Sequence, residues 1–211
     1  MTPDSFAAAS DEELIDHYGR SGQRQALATL LDRYLVRLRG LVFSMTASPG
    51  DVDDLTQEVF LRVIRGLPRF QRRARFSTWL YRVAMNTVYQ SLRQRERSRA
   101  GDAAAMSAQA GPRADQPDQR AADGEMNRRI AAAVGALSPS LRAAVALMAI
   151  EGLSGEEAAA IEGCTASTMY WRLHEARRQL ARRLGEYLPP RADTTNTPCR
   201  RESSRRARGM P

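Results

Sequence analysis

Between Arg75 and Arg99 the stretch RFSTWLYRVAMNTVYQSLRQRERSR sets Phe76, Trp79, Tyr81 and Tyr89 among arginines. Cations beside flat rings suit single-stranded nucleic acid. Guanidinium groups hold the backbone and rings stack on unpaired bases, at about 1–3 kcal/mol per base. Just upstream, DVDDLTQEVF gathers Asp51, Asp53, Asp54 and Glu58. Carboxylates so close together suit a hard cation or a basic protein surface. No other chemistry-bearing cluster accompanies them. The only histidines, His17 and His174, sit in no metal-spaced motif. A metal-dependent nuclease is therefore disfavoured, and no cofactor or catalytic residue is expected.

A third group lies near the C-terminus, in LSGEEAAAIEGCTASTMYWRLHEARRQL. Ser154 followed by Glu157 is a capping-box pattern that opens a short helix, and Gly163 ends it. Thr165 caps a longer helix expected to reach about Tyr187. A short helix, a tight turn and a longer helix have the spacing of a helix-turn-helix. With a period of 3.6, Met169, Leu173, Ala176 and Leu180 share the core face of the second helix. Ser167, Trp171, His174, Glu175 and Arg178 lie opposite, with Thr168, Tyr170, Arg172 and Arg177 on the flanks. Outward side chains at the N-terminal end of such a helix read base edges, and flanking Arg and Thr hold phosphates. An outward Trp171 awaits a partner.

The elements that carry these groups are helical throughout. Ser10 before Asp11, Glu12 and Glu13 opens a short helix. Arg24 to Met45 carries Leu27, Leu30, Leu31, Tyr34, Leu38, Leu41 and Val42 at helical spacing, and ASPGD breaks it. A third helix starts near Asp51, with Leu55, Val59, Phe60, Val63 and Ile64 on one side, and stops at Gly66 and Pro68. The basic loop RFQRRAR leads into the Arg75 stretch, where Trp79, Leu80, Val83, Val88 and Leu92 form another apolar stripe. Ser138-Pro139 reads as a cap with proline at the first helical position, opening an apolar helix to Ile150. No alternating strand pattern occurs. The expected fold is all-α, with two small helical domains over 1–97 and 124–188. A flexible Ala/Gly/Pro-rich linker is expected over 98–123, and a basic disordered tail over 189–211.

All 32 basic residues are arginine, and the formal net charge is +8. Residues 1–61 carry ten acids against five arginines, while residues 62–99 carry eleven arginines against Glu96 alone. Such asymmetry points to two partners on neighbouring surfaces, with nucleic acid for the basic one. The N-terminus has neither the basic start nor the apolar core of a secretory signal, and no apolar run is long enough to span a membrane. Cys164 and Cys199 make no framework. Cys164 reads as a small packed turn residue, and a reducing cytoplasm is the expected home.

Two blocks carry a family resemblance. DVDDLTQEVFLRVIRGLPRFQRRARFSTWLYRVAMN resembles region two of the bacterial extracytoplasmic-function (ECF) sigma factors. LSPSLRAAVALMAIEGLSGEEAAAIEGCTASTMYWRLHEARRQL resembles their region four. The resemblance implies a subunit that binds core RNA polymerase, through the β′ coiled coil and the β flap, and directs it to promoter DNA. Asp51, Asp53, Asp54, Leu55, Gln57 and Glu58 would bind the polymerase. Phe70 to Phe76, with Arg72 and Arg73, would form the loop that captures a flipped minus-ten base. Asn86 would belong to its pocket, and Arg75, Arg82 and Arg93 would serve the backbone. Trp79, Leu80 and Val83 read instead as core. The minus-thirty-five element would meet Thr165, Ser167, Thr168, Tyr170, Trp171, Arg172, His174, Glu175 and Arg178. An anti-sigma protein wrapped between the domains is the expected regulator, membrane-anchored in some relatives.

The sequence also departs from the family pattern. Arg72 and Arg73 stand where many relatives have Gly and an acid. Tyr170 and Trp171 replace Lys and Ser, and Leu137-Ser138-Pro139 replaces Leu-Pro. Both promoter elements are therefore expected to be unusual. The rival expectation, a helix-turn-helix regulator acting without polymerase, leaves the acidic helix and TWLYRVAMN unexplained.

Overall fold

Ser10 accepts from the Glu13 N–H at 3.2 Å, and the Glu13 carboxylate accepts from the Ser10 N–H at 2.6 Å. This reciprocal cap satisfies two amide donors that a helix start otherwise leaves unpaired. In the computed structural model, which describes residues 3–105 and 123–185, it starts α2 (Asp11–Ser21), after a short α1 (Pro3–Ala8). Gly22 ends α2 at φ 65, a conformation that costs glycine little. Next comes α3 (Arg24–Thr46), whose Leu27, Leu30, Tyr34, Leu38, Leu41, Val42 and Met45 are buried at the spacing seen in the sequence. A 3₁₀ turn at Pro49–Asp51 leads into α4 (Val52–Gly66), which buries Val52, Thr56, Val59 and Val63. Another turn, Leu67–Arg69, and a short loop lead to α5 (Phe76–Ala105).

The long helix α5 passes the boundary expected near residue 98 and is described as far as Ala105. The middle of the expected linker, 106–122, lies outside the described residues, as does the tail from 186 onward. The second block holds α6 (Asp123–Gly135), α7 (Pro139–Ala144), a π-helical turn at Val145–Ile150, α8 (Gly155–Glu162) and α9 (Ala166–Leu184). Pro139 takes the first helical position after Ser138, though the Ser138 hydroxyl pairs with Ser140 rather than capping the helix. Ser154 and Glu157 form the expected capping box, and the Thr165 hydroxyl accepts from the Thr168 N–H at 3.2 Å. Every regular element among the described residues is helical.

The blocks expected from the sequence meet along one apolar core. Leu38, Leu41 and Val42 of α3 and Leu80, Ala84 and Val88 of α5 join Ala143, Ala144, Leu147, Ala158, Ala159 and Ile161. Alanine dominates the second block's contribution, and its short side chain lets α8 approach α5 and α7 approach α3 closely. Leu137, Leu141 and Ala176 form a small satellite under α9.

Candidate polymerase and nucleic-acid interfaces

Three surfaces carry the residues singled out from the sequence. The first is α4. Asp53, Asp54 and Gln57 are exposed on it, and Leu55 is half-buried against the core. Asp51 receives both terminal nitrogens of Arg95. That guanidinium holds its carboxyl below the usual carboxylate range. Asp53 pairs with Arg39, and Glu58 accepts from Arg62 at 2.7 Å one turn on. Asp54 makes no ion pair among the described residues. No three metal-ligating side chains converge among the described residues either. The sequence did not disclose Arg95: it belongs to the basic run on α5, yet it serves α4 and fixes the acidic face against the basic one.

The second surface is the loop before α5 and the exposed side of that helix. Arg69, Gln71, Arg73, Thr78, Trp79 and Arg82 border an open cavity of about 230 Å³, and Phe70, Arg72 and Ala74 complete it. Phe70 packs on Trp79 with ring centroids 5.0 Å apart. Arg72 sits at φ 55, unusual for a side chain with a Cβ, and its guanidinium is held by Asp16 of α2. Arg73, Asn86 and Arg93 are exposed. Phe76, expected at the minus-ten strand, is 1% exposed and packs edge-on against Tyr34 at 5.6 Å and Phe70 at 6.0 Å. It supports the loop from below and has no face left for a base. Gly66 approaches the Trp79 ring so closely that a Cβ there would lie 3.0 Å from it. Arg82 donates to the Ala160 carbonyl of α8, and Arg75 lies 3.8 Å from Glu157.

The third surface is α9. Met169, Leu173 and Ala176 are buried and Leu180 packs beside them, as the period requires. Thr165, Ser167, Tyr170, Trp171, His174 and Arg178 are exposed, Trp171 by 63%. Thr168 is half-buried, its hydroxyl 2.8 Å from that of Thr165. Tyr170 lies over Gly155, where a Cβ would come within 2.5 Å of the ring, so a larger residue there would push the exposed Tyr170 ring aside. Glu175 accepts from Arg178 at 2.8 Å, and this pairing holds its carboxyl below the usual value.

Arg172 is half-buried. It donates at 3.2 Å to Glu162, which also accepts from the Tyr89 hydroxyl of α5 at 2.9 Å. Burial pushes the Glu162 carboxyl up despite both donors, and burial with Glu162 beside it pushes the Tyr89 hydroxyl up. The sequence placed Tyr89 among the rings of the basic stretch and gave Glu162 no role, and nothing in it signalled that the two would meet.

Residues 30–98 match Sigma-70 region 2, and residues 127–180 match Sigma-70, region 4. The chain is 32% identical over 175 residues to the ECF RNA polymerase sigma-E factor of Escherichia coli K12, covering 80% of this chain and 91% of that one. This chain belongs to the ECF sigma factors. The ECF RNA polymerase sigma factor SigE of Mycolicibacterium smegmatis is also 32% identical over 185 residues, or 85% of this chain and 71% of that one. CnrH, solved in complex with the cytosolic domain of CnrY, superposes with a TM-score of 0.64 at 27% identity, over 84% of this chain and 99% of that one. The sigma factor RpoE of Bartonella quintana, solved with the anti-sigma factor NepR, shares the fold with a TM-score of 0.61 at 23% identity, over 77% and 98%. Sigma factors act in transcription initiation by RNA polymerase and are not known as an enzyme family.

Proposed function

We propose that this sigma factor binds core RNA polymerase through α4, holds the opened minus-ten strand with α5 and its loop, and reads the minus-thirty-five duplex with α9. The observation that carries it is the division of chemistry among these surfaces. One helix offers exposed carboxylates to a basic partner. One cavity combines an aromatic wall with Arg69 and Arg73, which make no ion pair among the described residues. One helix-turn-helix presents aromatic and polar side chains at groove-reading positions. Sequence specificity at the minus-ten element comes from extracting a base, which costs a few kcal/mol and is repaid only by a base that fits the cavity. The chain itself catalyses nothing and needs no cofactor. Its work lies in the cytoplasm, where polymerase and promoter DNA are. An anti-sigma protein is its regulator, by analogy with the RpoE of Bartonella quintana, which was solved with the anti-sigma factor NepR. No single described helix is long and apolar enough to cross a membrane, so attachment there would run through the regulator.

The test is transcription in vitro with sigma-free core polymerase, this protein and fragmented genomic DNA, followed by sequencing of the 5′ ends. Discrete starts that require the protein, sharing two upstream motifs, are expected. Asp54→Arg should abolish them by preventing polymerase binding. Specific duplex binding that persists without polymerase, with no new starts, would favour a helix-turn-helix regulator instead.

A further inference from the structure

Away from the three surfaces, a cavity of about 390 Å³ lies between α3 and the start of the second block. Its wall is apolar. Phe43 and Ala47 come from α3, Ile130 and Val134 from α6, and Val145 and Ile150 from the π-helical turn. The volume falls in the range of small-molecule sites, about 300–1,000 Å³. Phe43, Ile130 and Ile150 are exposed, so water covers apolar surface that a ligand would take out of it.

One cation stands in this wall. Arg142 of α7 lines the cavity and is only 9% exposed. Its Nη1 donates to the Met45 carbonyl near the end of α3, and its Nε has no partner. No carboxylate pairs with it among the described residues, and Glu96 acts on it only through longer-range attraction. Burial holds the guanidinium below the usual arginine value, as expected of a charge taken out of water without a counter-ion. The other polar side chain in the wall, Ser44, spends its hydroxyl on the Gly40 carbonyl at 2.8 Å. A buried charge left unpaired is strongly unfavourable, so the cavity is one anion short.

We propose that this cavity binds a single-chain fatty carboxylate, its chain among Phe43, Ile130, Val134 and Ile150 and its head group on Arg142. The planar guanidinium fork matches a carboxylate. One unpaired cation balances one negative charge, which favours a carboxylate over a doubly charged phosphate. A cationic chain of the same length would bury the same apolar area but meet Arg142 as a like charge. The wall draws on both blocks, so the ligand binds them as packed here and stabilises the whole chain by mass action. The inference uses neither promoter nor polymerase and stands apart from the sigma-factor reading.

The test titrates dodecanoate into the full chain by calorimetry, below its micellar concentration. Saturable binding of one molecule per chain is expected, together with a rise in Tm. Dodecyltrimethylammonium, of the same chain length, should bind at least about tenfold more weakly, the worth of a hydrogen bond to a charged group. Arg142→Met keeps the apolar volume and should lower dodecanoate affinity by about tenfold or more. Ala131→Phe keeps the arginine but fills the cavity that Ala131 lines, and should abolish binding of both amphiphiles. Circular dichroism confirms that each variant keeps its helices, and either variant decides the matter if the other fails to fold. Absence of saturable binding would overturn the proposal. So would equal affinity for the two amphiphiles, or dodecanoate affinity unchanged in a folded variant.

Discussion

The Glu162 network offers a quantitative test of how the two blocks are held. Its carboxylate is 5% exposed and accepts from Tyr89 at 2.9 Å and Arg172 at 3.2 Å, while its second oxygen has no protein partner. Tyr89→Phe removes one of two donors from a buried charge. Leaving such an acceptor short costs about 2 kcal/mol, which for a chain of this size lowers Tm by roughly 4–8 °C. The loss should depend on pH, with a definite sign. Burial raises the native pKa of Glu162 above its unfolded value. The stability linked to this group is therefore fully present below the unfolded value and is lost as pH rises through the raised native one. Removing the Tyr89 donor raises the native value further, so the deficit of Tyr89→Phe should grow between about pH 5 and about pH 8. Urea unfolding followed by circular dichroism at both pH values measures it. In a Glu162→Gln background the same substitution should cost only about 1 kcal/mol, since no charge is left unpaired. A deficit below about 0.5 kcal/mol at the higher pH would refute the reasoning, because it lies within the range of surface substitutions. An equal deficit at both pH values would refute it too.

Other substitutions separate support from contact. Phe76→Ala should destabilise the protein by about 3–5 kcal/mol in urea unfolding, because its ring fills the core beneath the loop. Arg73→Ala should leave stability unchanged. It should lower by about one the slope of log affinity against log salt for a minus-ten oligonucleotide, as expected for one lost phosphate contact. Trp171→Ala removes a side chain 63% exposed. Its effect on Tm should be slight, while holoenzyme affinity for the minus-thirty-five duplex falls by about tenfold or more, read by gel shift.

The local signals in the sequence translate directly into structure. Ser10, Ser154 and Thr165 cap the helices they precede. The buried stripe of α3 and the outward face of α9 follow their 3.6-residue period. These features depend on neighbours within a turn or two, where residue type and spacing decide the outcome. Charge asymmetry, too, is a property of the chain alone, and it marked the acidic α4 and the basic α5 as separate surfaces. What the sequence left open depends on partners far along the chain. Phe76 could face a base or the core until Tyr34 and Phe70 enclosed it. Arg95 belonged to a basic run until Asp51, 44 residues away, claimed it. Tyr89 and Glu162 are 73 residues apart and ordinary in their own neighbourhoods. Only packing of α8 on α5 brings them together, because burial makes a carboxylate seek donors that water would otherwise supply.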